Sequence, residues 1–315
     1  MNQNRILIIL FLAFCFYQTG CATLAPQTEM ILTLANENKA NPLTHQIKDV
    51  PFINQQRGQC GPSSLMMVML WAGGSKINLD ELINQVYTPA ENGSLQMDLI
   101  SASRRNGYLT VPISSMSELL AEVRANHPVI IFENLALKWT PQWHYAVVTG
   151  YDLTKPEIIM HTGPLANSHV DMREFESSWK LGDYWGLVVL PPDQLPISLD
   201  ELSILNEAAT LEKIGQLKPA KVAYLQILKK WPSSLGGHIG LGNIAFSEGD
   251  LITANKYLLR AAEWHAESPA LWHNLAIVQE SLKQHTKAKE SARKAITLAP
   301  LETKKIYRES LKNII

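Results

Sequence analysis

Apolar residues along this chain follow a helical spacing, then a strand spacing, then a helical one again, and each change marks a set of elements. The first strong run is Leu65 to Ala72, entered through Cys60-Gly61-Pro62-Ser63-Ser64. Pro62 suits an opening helical turn, where its missing N–H has no partner to lose. A second helix is predicted over 79–87, with Asn78 as its cap and Asp80 and Glu81 in its first turn. Helical spacing recurs over 96–105, stopped by Asn106-Gly107, and over 115–126. From Pro128 the pattern shortens to β-branched and aromatic runs at 129–132, 145–151, 158–160 and 186–190, with one short helix over 173–180. Three helices after the opening one therefore precede the first predicted strand, an order that points to an α+β domain with a small antiparallel sheet.

Prolines 191, 192 and 196 suit neither a helix interior nor a central strand, so they mark a boundary. Beyond it the spacing is helical and repeats. Leu241 and Leu275, Ala254 and Ala288, Leu258 and Ala292, and Ala261 and Ala295 each lie 34 residues apart, and another step of 34 reaches Ala220, Tyr224 and Ile227. That period, with small residues where helices pack closely, resembles about three tetratricopeptide repeats. The resemblance implies an all-α array whose concave groove takes a protein partner or substrate.

At 315 residues and 46% hydrophobic, the chain is long enough for about two domains. A net charge of −1 gives no electrostatic reason to bind nucleic acid, and none is expected as a partner. The N-terminal residues carry an address: Arg5, an uncharged run over 6–17 of signal-peptide length, then Thr19-Gly20-Cys21. Those last three residues resemble a bacterial lipobox, with Gln18 where an aliphatic residue is usual. The resemblance implies cleavage after residue 20 and acylation of Cys21. Ala22 in place of aspartate then favours anchoring at the outer membrane, facing the periplasm. Cys15 leaves with the signal peptide, so Cys60 is the one thiol expected in the mature chain, and a leftover thiol of this kind is a candidate for chemistry.

Cys60 stands where unpaired N–H groups and the positive end of the helix dipole favour a thiolate, so fast reaction with electrophiles is expected. A thiol nucleophile needs a base, a group that orients the base, and donors for an oxyanion. His144 is the best candidate base, at the start of an apolar strand; His161, His169 and His127 are weaker. Val50-Pro51-Phe52-Ile53 and Gln55, then Gln59-Cys60-Gly61-Pro62-Ser63-Ser64, with His144-Tyr145-Ala146-Val147-Val148-Thr149-Gly150-Tyr151-Asp152 downstream, resemble the bacteriocin-processing, double-glycine-leader peptidases and their stand-alone lipoprotein relatives. These are papain-like cysteine peptidases. The resemblance implies Cys60 as nucleophile, His144 as general base and Gln55 as an oxyanion-hole amide beside the Cys60 N–H. The family glutamine often falls six residues before the cysteine, where Asn54 stands here, and Gln59 is the rival. The family aspartate that orients the histidine is replaced: the strand after His144 ends in His161-Thr162-Gly163-Pro164, so Thr162, a carbonyl or a water is expected to orient it, with His161 or Asn167 as alternatives.

The organisation expected is a signal peptide over 1–20, a tether over 21–46, a papain-like α+β domain over 47–195 and repeats over 196–315. Trp139, Trp143, Trp179 and Trp185 flank the site region and are expected to pack in the core. No metal-ligand spacing and no phosphate-binding loop occur, so no metal or cofactor is expected. Two functions fit. One is a membrane-anchored cysteine peptidase acting on a peptide or protein substrate, with the repeats as a docking array. The other is an envelope adaptor that keeps the fold without catalysis, for which a Cys60→Ala variant would still complement a deletion.

Overall fold

The computed structural model describes residues 25–37, 39, 42–74 and 77–315; the expected signal peptide and Cys21 lie outside them. The chain begins with α1 (Pro26–Asn36) and β1 (Thr44–Gln46), continues through α2 (Cys60–Trp71), α3 (Leu79–Val86), α4 (Gln96–Arg105), β2 (Leu109–Ile113) and α5 (Met116–Arg124), and then enters β3 (Val129–Asn134), β4 (Trp143–Asp152), β5 (Glu157–Thr162) and β6 (Leu165–Asp171). α6 (Met172–Leu181) and β7 (Gly186–Leu190) complete one antiparallel sheet of seven strands in the order β2-β7-β3-β4-β5-β6, with β1 alongside the far end of β4.

The sheet is larger than the pattern predicted, and two strands precede β3. β2 carries Pro112, which an edge strand tolerates because one side of it makes no ladder. β6, at the other edge, is mostly polar and carries no strand signature in its composition. The expected tether is also largely folded. The Glu176 carboxylate on α6 accepts the backbone N–H groups of Gln27 at 3.0 Å and Thr28 at 2.6 Å, capping α1, while Ile31 and Ala35 join the core. Two apolar positions and one distant carboxylate do what the segment's own polar composition does not announce.

Alternation along the strands explains the layers. Ile130, Tyr145, Val147, Leu187 and Val189 face α2, α3 and α4, and Val129, Ile131, Ala146, Val148 and Val188 face α1, α5 and α6. α2 is covered all round, with Leu65, Met67, Val68 and Met69 fully buried, so its apolar run needs no polar face.

Seven further helices follow: α7 (Glu201–Lys213), α8 (Leu217–Lys230), α9 (Leu235–Ser247), α10 (Leu251–Ala262), α11 (Pro269–Ser281), α12 (His285–Leu298) and α13 (Leu301–Ser310). Every residue of the 34-residue ladder is buried, including Ala220, Ala254 and Ala288. The two parts share a junction. Leu109 of β2 packs into the cluster of Ile204, Ala208 and Leu211, and Arg104 meets Glu207 through two hydrogen bonds of 3.0 and 2.6 Å. Glu122 of α5 accepts hydrogen bonds from Ile197 N–H, Ser198 N–H and Ser198 Oγ at 2.8, 2.7 and 2.6 Å. Among the described residues no helix is long and apolar enough to cross a membrane.

Candidate active site

The turn Arg57-Gly58 delivers the chain to Gln59, and α2 starts at Cys60. Gly58 has φ +75°, which a residue without Cβ adopts freely. Gly61 is needed for packing: a Cβ there would lie 2.7 Å from Ser94 Cβ, so only glycine lets the 91–95 loop close over the helix N-terminus. Cys60 and His144 line one cleft, together with Gln55, Ser94, Phe132 and Trp143. The candidate nucleophile and the candidate base therefore share one space.

Both are shifted toward their neutral forms. Burial raises the Cys60 thiol above its ordinary range, partly offset by hydrogen bonding from the backbone of Tyr145, Gly61 and Cys60 itself. Burial lowers His144 to about 4. Desolvation therefore works against the thiolate expected at the helix N-terminus: it outweighs the backbone donors, and burial favours the neutral form of both groups.

His144 Nε2 lies 3.0 Å from Thr162 Oγ1. The route to this contact differs from a direct cross-strand pair. β4 and β5 pair with Val147 opposite His161, and the register shifts at a bulge between Val148 and Gly150. One step on, Thr162 falls opposite Ala146, on the same face as His144 and diagonal to it, within reach of a long side chain. His161 and Asn167 are engaged elsewhere. His161 Nε2 is 3.1 Å from Val50 O while its Nδ1 accepts from Asn167 N–H at 3.0 Å, and Asn167 Oδ1 accepts from Gln46 Nε2 at 3.2 Å. His127 pairs with Glu122 and His169 with Glu157, both away from the cleft.

Gln55 is held in the cleft from both sides. Its N–H donates to Gly163 O at 3.2 Å, its Oε1 accepts from Gly163 N–H at 2.9 Å, and its Nε2 donates to Ser64 Oγ at 3.0 Å and to Tyr145 O at 3.2 Å. Both amide hydrogens are thus occupied in this state, and an oxyanion would have to draw one from Ser64. Asn54 is exposed, and Gln59 serves as the residue before α2 with no side-chain cap bond. The four tryptophans divide. Trp179 is fully buried and donates Nε1–H to Trp185 O, whereas Trp139 is 77% exposed and Trp143 lines the cleft, stacked on Phe132 with centroids 5.0 Å apart. Packing explains the first two; Trp143 lines the cleft, the alternative open to a tryptophan flanking the site, and Trp139 lies on the surface. Ser94 had no signal in the sequence, and Tyr145 showed there only as part of the strand motif: Tyr145 O–H donates to Ser94 O at 3.1 Å, fixing the cleft's wall. Among the described residues no group of three or more His, Cys, Asp or Glu is gathered where it would hold a metal.

Residues 47–184 match the model of the Peptidase C39 like family, and 269–300 match a tetratricopeptide repeat. The chain carries a C39-like peptidase domain. Two solved structures are similar to this domain. One is a C39-like peptidase from Bacillus anthracis, 21% identical with TM-score 0.41, covering 47% of this chain and 97% of that one. The other is the peptidase domain of Streptococcus ComA, a bi-functional ABC transporter involved in quorum sensing, 20% identical with TM-score 0.38, covering 45% and 99%. YrrB, a tetratricopeptide-repeat protein with a peptide-binding site, is similar over 36% of this chain and 60% of that one, at 23% identity and TM-score 0.32. No curated protein matches the chain. In the C39-like domain a mixed α/β antiparallel fold is thus followed by a helical repeat region.

Proposed function

We propose that the protein is a cysteine peptidase of the bacterial envelope that attacks a peptide carbonyl with Cys60. The observation that carries this reading is that Cys60 and His144 line one cleft while Thr162 holds Nε2 of the imidazole. With Nε2 occupied, Nδ1 is the nitrogen that takes the thiol proton as sulfur attacks the carbonyl. Because the resting pair is neutral, proton transfer accompanies attack and does not precede it. The oxyanion would be met by the Cys60 N–H at the first turn of α2 and by the Gln55 amide once it leaves Ser64. His144 then gives that proton to the amine as the C–N bond breaks; water, losing a proton to the same imidazole, attacks the Cys60 thioester, and the acid leaves as the proton returns to sulfur.

The envelope address rests on the lipobox-like Thr19-Gly20-Cys21, and the repeat groove would recruit the protein substrate or a partner. The test compares envelope peptides from cells with the wild-type chain and with Cys60→Ala. Peptides that appear only with Cys60 present, and vanish again in His144→Ala, support the peptidase. A Cys60→Ala chain that fully complements a deletion strain and leaves the peptide pattern unchanged makes the protein a non-catalytic adaptor.

A further inference from the structure

The imidazole of His144 is the middle of a row that crosses three adjacent strands. Thr162 stands on β5, His144 on β4, and directly opposite His144 in the β3–β4 register stands Glu133. Residues so paired place their Cβ atoms about 4.5–5.5 Å apart on one face of the sheet. Glu133 is 1% exposed, and only half of its carboxyl is used: Oε2 accepts from Ser178 Oγ at 2.6 Å, while Oε1 is buried with no partner. A half-satisfied buried carboxyl is costly and calls for a role. Glu133 and Thr162 also line one cavity, which residues of β5, β6 and α6 complete.

Hydrogen-bond accounting links these facts. For Nδ1 to accept the proton of Cys60, it must be bare, so Nε2 carries the ring hydrogen and donates to Thr162 Oγ1. The Thr162 hydroxyl has one hydrogen of its own, which then needs an acceptor. Glu133 Oε1 is the buried acceptor without a partner, on a residue that lines the same cavity as Thr162, and a small turn of either side chain, or a water admitted between them, would close the contact. We propose that Glu133 is a positioning residue for His144, ending a hydrogen-bond chain that runs from the imidazole through the Thr162 hydroxyl to its buried carboxyl. The proposal rests on the peptidase reading and deepens it: the carboxyl absent from the strand after the histidine strand is supplied by the strand before it. When the Cys60 S–H bond breaks and its proton moves to Nδ1, the ring becomes an imidazolium. The chain holds that ring in its tautomer; burial raises the Glu133 carboxyl above its usual range, opposed by the Ser178 hydrogen bond, and the positive charge forming on the ring favours the ionised carboxylate that stabilises it. No proton passes to Glu133. The titratable groups facing Glu133 are His144 from β4 and Glu174 from α6; β5 presents Met160 and Thr162, which do not ionise.

The test uses the full chain with two readouts: the tautomer and titration of His144 from ring-nitrogen NMR, and the rate at which iodoacetamide alkylates Cys60 between pH 5 and 10. Glu133→Gln and Thr162→Val should each lower the His144 midpoint, populate the Nδ1–H tautomer and slow alkylation at pH 7, about tenfold for each unit of midpoint lost. The double variant should be no worse than the poorer single one, since both cut one chain. A folded Glu133→Gln chain with wild-type tautomer and alkylation profile overturns the proposal. If that variant does not fold, Ser178→Ala is read in its place: it keeps Glu133 and removes the donor that stabilises its charge, and an unchanged His144 titration overturns the proposal equally. A His144→Ala chain whose Cys60 alkylates as in wild type overturns the peptidase reading and the proposal with it, so the two failures are distinguishable.

Discussion

Burial shifts the two cleft side chains Cys60 and His144 in opposite senses. It penalises the charged form of each, raising the Cys60 thiol and lowering His144 to about 4, so the cleft favours the neutral forms. The acid limb of catalysis should therefore lie near pH 4, where His144 takes a proton, well below the ordinary imidazole value of 6.5. A plot of kcat/KM, or of Cys60 alkylation, against pH checks this; a limb near 6.5 would mean the ring is solvated. The same shift links to stability. The unfolded chain binds a proton at His144 near 6.5 and the folded chain near 4, so the unfolded state holds more protons across that window. Stability present above 6.5 is lost as pH falls through about 4, and His144→Asn should flatten that part of the wild-type Tm curve.

Within the repeats, close approach of helices depends on small residues at fixed places. α8 and α9 meet where Gly240 faces Tyr224, and a methyl group on Gly240 would land inside the tyrosine ring. Tyr224 is buried with its hydroxyl donating to Glu212 Oε2 at 2.8 Å, so it has no free direction in which to yield. Gly240→Ala should therefore cost about 1–3 kcal/mol by overpacking, even though alanine is the better helix former. Chemical denaturation checks it: a stabilised variant would show that the α8–α9 contact relaxes. The sheet shows a comparable dependence on one position, since the bulge at residue 149 shifts the β4–β5 register and so decides which residue of β5 reaches His144.

Across the whole molecule, one carboxylate ties the peptidase domain to the linker leading into the repeats. Burial alone would raise Glu122, but hydrogen bonds from His127 and Ser198 overcome it and hold its carboxyl below the usual range. Its stabilisation is present above the ordinary carboxylate value and is lost as pH falls through the depressed one. Glu122→Ala would strand the N–H groups of Ile197 and Ser198 and leave His127 without its partner. The expected outcome is faster proteolysis within residues 191–200, with Arg104–Glu207 and Leu109 still holding the parts together. Equal protease resistance in the variant would show that the apolar junction suffices.

Local pattern carried a good deal of this protein. The 34-residue ladder is legible because each unit buries the same small positions, and Cys60-Gly61-Pro62 before an apolar run is legible because a helix start has its own residue chemistry. Thr162 was within reach because strand pairing is periodic, although the bulge at residue 149 made the contact diagonal. Three things had no local sign. α1 is held by Glu176, 148 residues beyond Thr28, and β2 is an edge strand through its neighbour alone. The ionisation of Cys60 and His144 depends on what excludes water from them. Sequence thus determined which groups are available and which elements carry them. Tertiary structure decided their charge, because desolvation is a property of the assembled surroundings, and decided that a glutamate from the preceding strand lies across from the histidine, because register is set between strands and not within one.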